Sequence, residues 1–391
     1  MRPPGSASLT ESITAGMTAL TTAFMTMIDS KLLEALTAPE ESERRSAAQE
    51  ISESGDPGAA DVLVSQLRRE DSRAVKEAIL RGLSRIWTAN PVESIIELLK
   101  DDDPFVRAEA ADMLQRRAGD VIEGLNRLIR SDDKDLRKFS VDILREATIG
   151  APDALYLSAL KDEDINVVIS AIENIGSRRR SGLAKPVLAM AMESTQPMAV
   201  CASLEALALI GTRQTLDALR VKYPHAAEVP GIYLQPFLKL LGHAAGPESI
   251  AEICQTIEQK GEFIHEAAID ALTNIALRHN VSQLNPRCEA TLCGLLTPEL
   301  DAGVRFHLIR LLGHFTGLAR VALVVLPYIH DCDRTLALAA VESLANSSDP
   351  AVESELQSLV SSESDPEIAE ELGELLRRRP RWNSPPSSSP S

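Results

Sequence analysis

Apolar positions recur along this chain at helical spacing and also at a longer interval of 30 to 33 residues, with one interval of 40. Each copy starts at an anchor position, and the residue eight positions later is always Ile or Leu. The anchors are Glu43, Val75, Val106, Leu136, Val167, Ala199, Ile232, Ile264, Val304, Leu336 and Ile368. The residues eight positions later are Ile51, Leu83, Leu114, Leu144, Ile175, Leu207, Leu240, Leu272, Leu312, Leu344 and Leu376. The residue five positions after each anchor is apolar or glycine. Because positions 0, 4, 5 and 8 share one helical face, the pattern predicts eleven amphipathic helices.

One helix cannot bury such a stripe alone, so each copy needs a second helix. Apolar segments precede the early anchors at 60–67, 92–99, 121–129, 155–160 and 184–192. We name the preceding helix A and the anchor helix B. A fixed period of this size is typical of a solenoid, in which each repeat contacts its neighbours. The sequence therefore predicts an all-α fold, a right-handed α-solenoid of about eleven two-helix repeats.

Aspartate often stands three residues before the anchor, where a B helix should begin. A carboxylate there can accept hydrogen bonds from the free N–H groups of the first helical turn. The residues are Asp103, Asp133, Asp164, Asp301, Asp333 and Asp365. We predict that they are N-caps.

Breaks in the pattern predict four segments. Residues 1–30 form a tail and a helix that covers the first repeat, or alternatively a Met-rich helix that docks a partner. Residues 31–222 hold the first repeats. Residues 223–378 follow a Pro-rich break and hold the remaining repeats, and Pro236 should kink or shorten its B helix. Residues 379–391 are rich in Pro and Ser and should be disordered.

The net charge of −17 disfavours nucleic acid and anionic membranes as partners. The five cysteines are scattered, which is not a disulfide framework. The apolar stretch at 15–28 contains Thr and Gly and is too short to span a bilayer. No signal peptide is recognisable, and we predict a cytoplasmic protein without membrane insertion.

The segment DPFVRAEAADML, at 103–114, resembles the short HEAT repeat of the phycobiliprotein-lyase type. Asp, Val-Arg, Ala-Ala and Leu stand where that motif has them. The resemblance implies a HEAT-like solenoid, and it implies that Asp and Arg bond between neighbouring repeats. The residues of this structural ladder are Asp103, Arg107, Asp133, Arg137, Asp301 and Arg305.

The sequence contains no phosphate-binding loop, dinucleotide fingerprint or nucleophile elbow. All histidines and cysteines follow residue 200, but none stand at metal-ligand spacing, and we expect the cysteines to be buried. We therefore predict no catalytic residue, no metal and no cofactor.

Seven arginines fall at or just past the ends of successive B helices. They are Arg85, Arg116, Arg117, Arg145, Arg178, Arg179 and Arg180. Cations there can compensate the helix dipole, and stacked helices would also place them on one basic edge that could dock an acidic protein segment.

These patterns favour a non-catalytic scaffold or adaptor that binds a partner protein through the inner B-helix surface or the basic edge. The alternative, which the family resemblance implies, is a bilin lyase or another chromophore-handling enzyme. Such an enzyme would need a polar pocket near Tyr223, His225, Tyr233 or His265.

Overall fold

The computed structural model describes residues 28–56, 58–86, 92–117, 119–145, 152–315, 317–345, 347, 349–362, 370 and 373. Within these residues the chain forms 21 α-helices and no strand. It divides into two compact units, residues 1–174 and 175–391. None of the described helices is long and apolar enough to cross a membrane.

The first unit alternates short A helices with longer B helices. Its A helices are α1 (Ser30–Leu36), α3 (Ala59–Leu67), α5 (Val92–Leu98), α7 (Ile122–Leu128) and α9 (Asp153–Ala159). Its B helices are α2 (Glu41–Glu53), α4 (Arg73–Arg85), α6 (Pro104–Arg116), α8 (Lys134–Leu144) and the start of α10 (Ile165–Ser177).

The second unit continues the same alternation. Its A helices are α11 (Ala184–Glu193), α13 (Arg213–Leu219), α15 (Ile250–Lys260), α17 (Pro286–Leu295), α19 (Ala319–Val325) and α21 (Pro350–Ser362). Its B helices are α12 (Pro197–Ile210), α14 (Gly231–Ala244), α16 (His265–His279), α18 (Ala302–Leu312) and α20 (Arg334–Leu344). Short 3₁₀ turns join several of them, including Ala226–Glu228 and Glu262–Ile264.

The predicted apolar faces of the B helices form the core of both units. In the ten repeats whose B helices are described, the residues five and eight positions after the anchor are all buried. Three anchors lie outside this core, and one of them, Val304, is half-buried. Glu43 is exposed, and Ile232 is 59% exposed because the loop before α14 contributes the buried side chains of Ala226 and Val229. The eleventh anchor, Ile368, and Leu376 lie outside the described residues.

The aspartates before the B helices are N-caps, as predicted. Asp103, Asp133 and Asp333 each accept a hydrogen bond from the backbone N–H two residues later, at 2.8 to 2.9 Å. Asp164 and Asp301 do the same at 2.8 and 2.9 Å. Asp365 lies outside the described residues. The caps fix where each B helix begins, and thereby the register of its apolar face.

Glycine allows two neighbouring B helices to approach at backbone distance. A Cβ atom on Gly242 of α14 would lie 2.7 Å from the Cα of Ala271 on α16. A Cβ on Gly176 would lie 2.8 Å from the Cα of Ala206 on α12. Any larger residue at either position would separate the helices.

Pro236 does not shorten its helix, so that part of the prediction was wrong. α14 runs for 14 residues with Pro236 inside it and buried. Proline lacks the N–H that would bond to the carbonyl of Ile232. The thiol of Cys201, on the preceding B helix, donates to that carbonyl instead, at 3.4 Å. A donor from the preceding B helix therefore replaces the lost bond.

The predicted segments 1–30 and 379–391 lie almost wholly outside the described residues. The Pro-rich break at 223–236 lies inside the second unit, where the buried Tyr223 packs edge-on against Phe237 with 6.0 Å between ring centroids. The proposed segment boundaries stay a prediction.

Candidate functional site

Basic residues one position after the anchor connect successive A–B loops. Arg137 donates to the backbone carbonyls of Ser131 and Asp132 in its own loop, at 3.0 and 3.1 Å. Its other nitrogens donate to both carboxylate oxygens of Asp162 in the next loop, at 2.8 and 2.9 Å. Asp162 also accepts the N–H of Asp164, the next N-cap. The side chains of Arg137 and Asp162 are 8% and 7% exposed, so this is a buried bidentate pair.

Two other repeats use the same arrangement. Arg44 donates to the carbonyls of Ala38 and Pro39 and pairs with Glu70 at 2.9 Å. Arg305 donates to carbonyls of its own loop and lies 4.0 Å from Asp331. Since these carboxylates stand five residues before the next anchor, they are not the N-cap aspartates that the family resemblance singled out.

The remaining ladder residues have more local roles. Asp103 accepts a hydrogen bond from Lys76 of the preceding repeat at 2.6 Å. This bond and the N–H of Phe105 hold the pKa of the Asp103 carboxyl below its usual range. Arg107 donates to the carbonyls of Asp101 and Asp102. Asp133 and Asp301 cap their helices. These contacts are structural.

A groove of about 520 Å³ lies between the B helices α4 and α6, and we call it the first groove. Four arginines line it, against two glutamates. They are Arg73, Arg81, Arg85 and Arg116. Arg85 and Arg116 belong to the predicted basic edge, whereas Arg73 and Arg81 were not predicted. The first groove thus joins the B-helix surface and the basic residues in one place.

The cations of the first groove remain accessible despite their partners. Arg73 pairs with Glu77 at 2.9 Å, and its guanidinium stacks 3.2 Å above the ring centroid of Phe105. Arg85 lies 3.6 Å from Glu53, and Arg116 pairs with Asp112 on its own helix. The Arg73, Arg85 and Arg116 side chains are 57% to 63% exposed. Pairs this exposed are worth little, so an incoming anion could replace the partners.

The other predicted arginines are more dispersed. Arg117 lies 3.7 Å from Asp120, just past the end of α6. Arg145 is exposed at the end of α8. In the second unit, Arg178 and Arg180 are half-buried and Arg179 is exposed.

Arg179 lines a second groove, of about 830 Å³, which extends across the B helices α12, α14 and α16. Its cations are Arg179, Lys239 and Arg278, together with His243. Glu205 and Asp270 are its acids; Glu205 lies 3.6 Å from Lys239, and Asp270 lies 3.9 Å from His307. The exposed Leu209 and Leu277 add apolar surface.

Backbone carbonyls at helix C-termini position these cations. Arg179 donates to the carbonyl of Leu209 at 2.8 Å. Arg278 donates to the carbonyls of Gly242 and Ala245, at 3.0 and 2.6 Å. The partial negative charge of a helix C-terminus favours such contacts. The dipole role considered for Arg179 is therefore present, and the same contact fixes the side chain at the rim of the groove.

His243 lies beside two cations of the second groove. Its Nε2 lies 3.1 Å from the carbonyl oxygen of Gly211. Burial lowers the pKa of His243, and Arg278 and Arg179 lower it further. A neutral imidazole that donates from Nε2 leaves Nδ1 as an acceptor.

Arg179 has an unusual backbone conformation, with φ of 53°. The N–H groups of Arg179 and Arg180 bond to the carbonyls of Gly176 and Ile175, which is the Schellman pattern at a helix C-terminus. Glycine usually occupies this left-handed position because an L side chain is strained there. A strained residue whose side chain lines a groove is a functional candidate.

Two of the four residues weighed for an enzyme lie in the core. Tyr223 and His265 are buried, and burial lowers the pKa of His265. His225 lies elsewhere, in a pocket of about 490 Å³ between α15 and α17. In the described part of the chain no group of three potential ligands could hold a metal. Cys254, Cys288 and Cys293 are buried as expected, but Cys201 is half-buried and Cys332 is exposed.

Several groove residues, most of them not predicted, share a simple signal. Arg81, Glu205 and Asp270 stand six residues after their anchors, and Arg85, Leu209 and Asn274 stand ten after. Positions six and ten are four apart and therefore share one helix face. A search for charged residues at positions six and ten after each anchor would have identified this face.

Comparison with known proteins agrees with the fold. Residues 30–115 and 61–145 match the family model for HEAT repeats. No curated protein matches the chain by sequence. A structure of yeast importin-β (Kap95p) is similar, with 13% identity over 95% of this chain and 58% of that chain and a TM-score of 0.56.

Two further solved structures are similar. One is a structure of Kap95p, whose binding induces the switch loops of RanGDP to adopt the GTP-bound conformation. It has a TM-score of 0.58 at 13% identity, over 95% of this chain and 58% of that chain. Kap121p has a TM-score of 0.50 at 11% identity, over 94% of this chain and 50% of that chain. The chain thus spans little more than half the length of these relatives, and at such identities the likeness shows the fold alone. The chain is an all-α solenoid of HEAT-like two-helix repeats, and residues 30–145 match the HEAT-repeat family itself.

Proposed function

We propose that this chain is a non-catalytic protein-binding scaffold that holds acidic segments of partner proteins in its B-helix grooves. The observation that carries the proposal is the first groove. It gathers four arginines on a chain whose net charge is −17. A cationic site on an acidic body attracts an acidic segment locally while the remaining surface repels other acidic molecules. A cytoplasmic location is part of the proposal.

The solenoid architecture supports this function physically. Helix packing fixes the groove walls, so little conformational freedom is lost when a partner binds. The second groove supports the same chemistry independently, since backbone carbonyls hold Arg179 and Arg278 in place before any ligand arrives. Guanidinium groups also bind carboxylates in a bidentate manner, which adds geometric selectivity.

The test compares the first groove with a matched arginine set. One variant carries Arg81→Gln, Arg85→Gln and Arg116→Gln. The control carries Arg68→Gln, Arg69→Gln and Arg130→Gln, which removes the same charge from exposed positions at the ends of A helices. Partners captured from the native host with the wild-type chain are identified by mass spectrometry, purified and titrated against all three proteins.

The proposal requires that only the groove variant loses affinity and that its binding depends less on salt. Salt screens exposed charges, with a Debye length of about 10 Å at 0.1 M and about 3 Å at 1 M. Equal affinity of the wild type and the groove variant would refute the first groove as the binding site. A parallel variant with Arg179→Gln and Arg278→Gln tests the second groove, and circular dichroism checks that every variant keeps its helices.

A further inference from the structure

Three large apolar side chains are exposed at nearly equivalent positions in three consecutive repeats of the second unit. Met198, Ile232 and Phe263 are 63%, 59% and 51% exposed. Met198 and Ile232 lie in the first turns of α12 and α14, and Phe263 lies in the 3₁₀ turn before α16. We call these residues the apolar stripe.

Contacts between repeats hold the apolar stripe together. Cys201 of α12 donates to the carbonyl of Ile232 at 3.4 Å. Gln235 of α14 donates to the carbonyl of Phe263 at 2.8 Å. The Phe263 ring also passes Gly231, whose Cβ position would be 4.0 Å from the ring's Cζ atom. The three residues are therefore spatial neighbours, although 65 positions separate the first from the last.

Single exposed apolar residues are common on soluble proteins and need no explanation. Met198 and Phe263, however, stand one position before their anchors, where four other repeats have Asp135, Asn166, Gly303 or Thr335. Two further repeats have Ala74 and Phe105 there, but both are half-buried, and the guanidinium of Arg73 covers the Phe105 ring. Ile232 is itself an anchor, and the anchors Val75, Val106 and Val167 are fully buried. Apolar exposure at this edge thus departs from the repeat pattern in three repeats in succession.

Exposed acidic side chains lie within five residues of each member of the apolar stripe along the chain. Glu193 is at the end of α11, Glu228 is in the turn before α14, Glu262 is in the turn before α16, and Glu266 is in the first turn of α16. None of the four forms an ion pair within the described residues. Lys222, the cation near Glu193, donates to the carbonyls of Ala191 and Met192.

Helix capping does not account for all of this charge. Glu262 and Glu266 lie at the positive end of the α16 dipole, where carboxylates are stabilised. Glu193 is the last residue of α11 and lies at the negative end of that helix, where a carboxylate is disfavoured. The carboxylates also make an anionic membrane an unfavourable partner for the stripe.

We infer that the apolar stripe and its acidic border dock a basic amphipathic segment of a partner protein, at a surface separate from the arginine grooves. Apolar side chains of the segment would cover Met198, Ile232 and Phe263, and its Lys or Arg side chains would pair with the surrounding glutamates. Methionine adapts its shape to different apolar partners. The charge requirement is opposite to that of the grooves, so the two surfaces select different segments.

The experiment selects 16-residue peptides from a random display library on the full-length protein. Enriched peptides are then titrated against the wild type and three variants. The stripe variant carries Met198→Gln, Ile232→Gln and Phe263→Gln, and the border variant carries Glu228→Gln, Glu262→Gln and Glu266→Gln. The control carries Leu323→Gln and Glu342→Gln, which change an exposed apolar and an exposed acidic residue elsewhere in the second unit.

The inference predicts a group of enriched peptides that are basic and amphipathic. The stripe variant should bind them roughly tenfold more weakly or worse, since apolar surface is no longer covered on binding. The border variant should bind them with a flatter salt dependence, and the control should stay within about twofold of the wild type. Circular dichroism and melting curves of each variant establish that it is folded.

Two results would overturn the inference. One is that no peptide group depends on the stripe, and the other is that the stripe-dependent peptides are acidic or uncharged. Basic peptides that lose affinity equally in the control would indicate general attraction to an acidic protein and would also overturn it. Substitution of Arg179 and Arg278 should leave these peptides unaffected, so this outcome is separate from that of the proposed function.

Discussion

The buried pair of Arg137 and Asp162 permits a quantitative test of how neighbouring repeats are joined. Replacing Arg137 by Met keeps most of the side-chain volume but removes the guanidinium. Asp162 then remains 7% exposed with its charge uncompensated, and the carbonyls of Ser131 and Asp132 each lose a donor. Removing one partner of a buried pair costs about 3–5 kcal/mol, so we expect Arg137→Met to lower the free energy of unfolding by that amount.

A second substitution separates the charge from the other contacts. Asp162→Asn removes the carboxylate charge, yet its amide oxygen can still accept the N–H of Asp164. The double variant should therefore recover at least about 1 kcal/mol relative to Arg137→Met, because no buried charge is left unpaired. Lys100→Met is the control, since its pair with Glu97 is about half exposed. Its effect should be about 0.3–0.5 kcal/mol.

Urea denaturation followed by circular dichroism measures all four proteins. Since a repeat array can unfold in parts, hydrogen exchange at the loops around residues 131 and 162 checks that the loss is local. A loss below about 1 kcal/mol in Arg137→Met would refute the reasoning, because that is the range of exposed pairs. The same conclusion would follow if the double variant were no more stable than the single one.

Three further predictions concern the core, the helix spacing and pH. Leu114 is fully buried, so Leu114→Ala should cost about 2–5 kcal/mol in urea denaturation; a change within about 0.5 kcal/mol would place it at the surface. Gly242→Ala should cost about 1–3 kcal/mol by forcing α14 from α16, whereas Gly294→Ala, with no atom within 4 Å of its Cβ position, should be neutral or stabilising. Burial lowers the pKa of His243, His265 and His314 below the ordinary 6.5, so the unfolded chain takes up protons first as pH falls. The urea concentration at the unfolding midpoint should therefore decrease as the pH is lowered below about 6.5, and it should decrease less in His265→Gln. A midpoint that does not change with pH would contradict this.

The sequence predicted the fold well because burial in a repeat array is local and periodic. Ile51 and Leu83 are fully buried in separate repeats for the same reason, namely that each is the last residue of the apolar face of its own B helix. The exposure of Ile232 was not predictable from the period, because residues of the preceding loop decide it. The full length of the helix around Pro236 was not predictable either, because the replacement hydrogen-bond donor comes from a different repeat.

The candidate sites were only partly predictable. Arg85, Arg116 and Arg179 were predicted as an edge, and each of them lines a groove. The order of residues along the chain does not show which side chains converge across repeats, so Arg81 and Arg278 were missed. The acidic partner of Arg137 was likewise assigned to the wrong class of aspartate, since the distance between loops determines which carboxylate the guanidinium reaches.

The exchange of a hydrogen-bond partner at Pro236 has a consequence for the mechanics of the array. Proline ordinarily interrupts a helix. Here Pro236 leaves the carbonyl oxygen of Ile232 free to accept a hydrogen bond from Cys201 of the preceding repeat. Burial raises the pKa of the Cys201 thiol, so the thiol keeps the proton of this hydrogen bond throughout the neutral range. Alkylation of that sulfur would remove the proton that it donates, and would break this one link between the two repeats without altering the backbone of either.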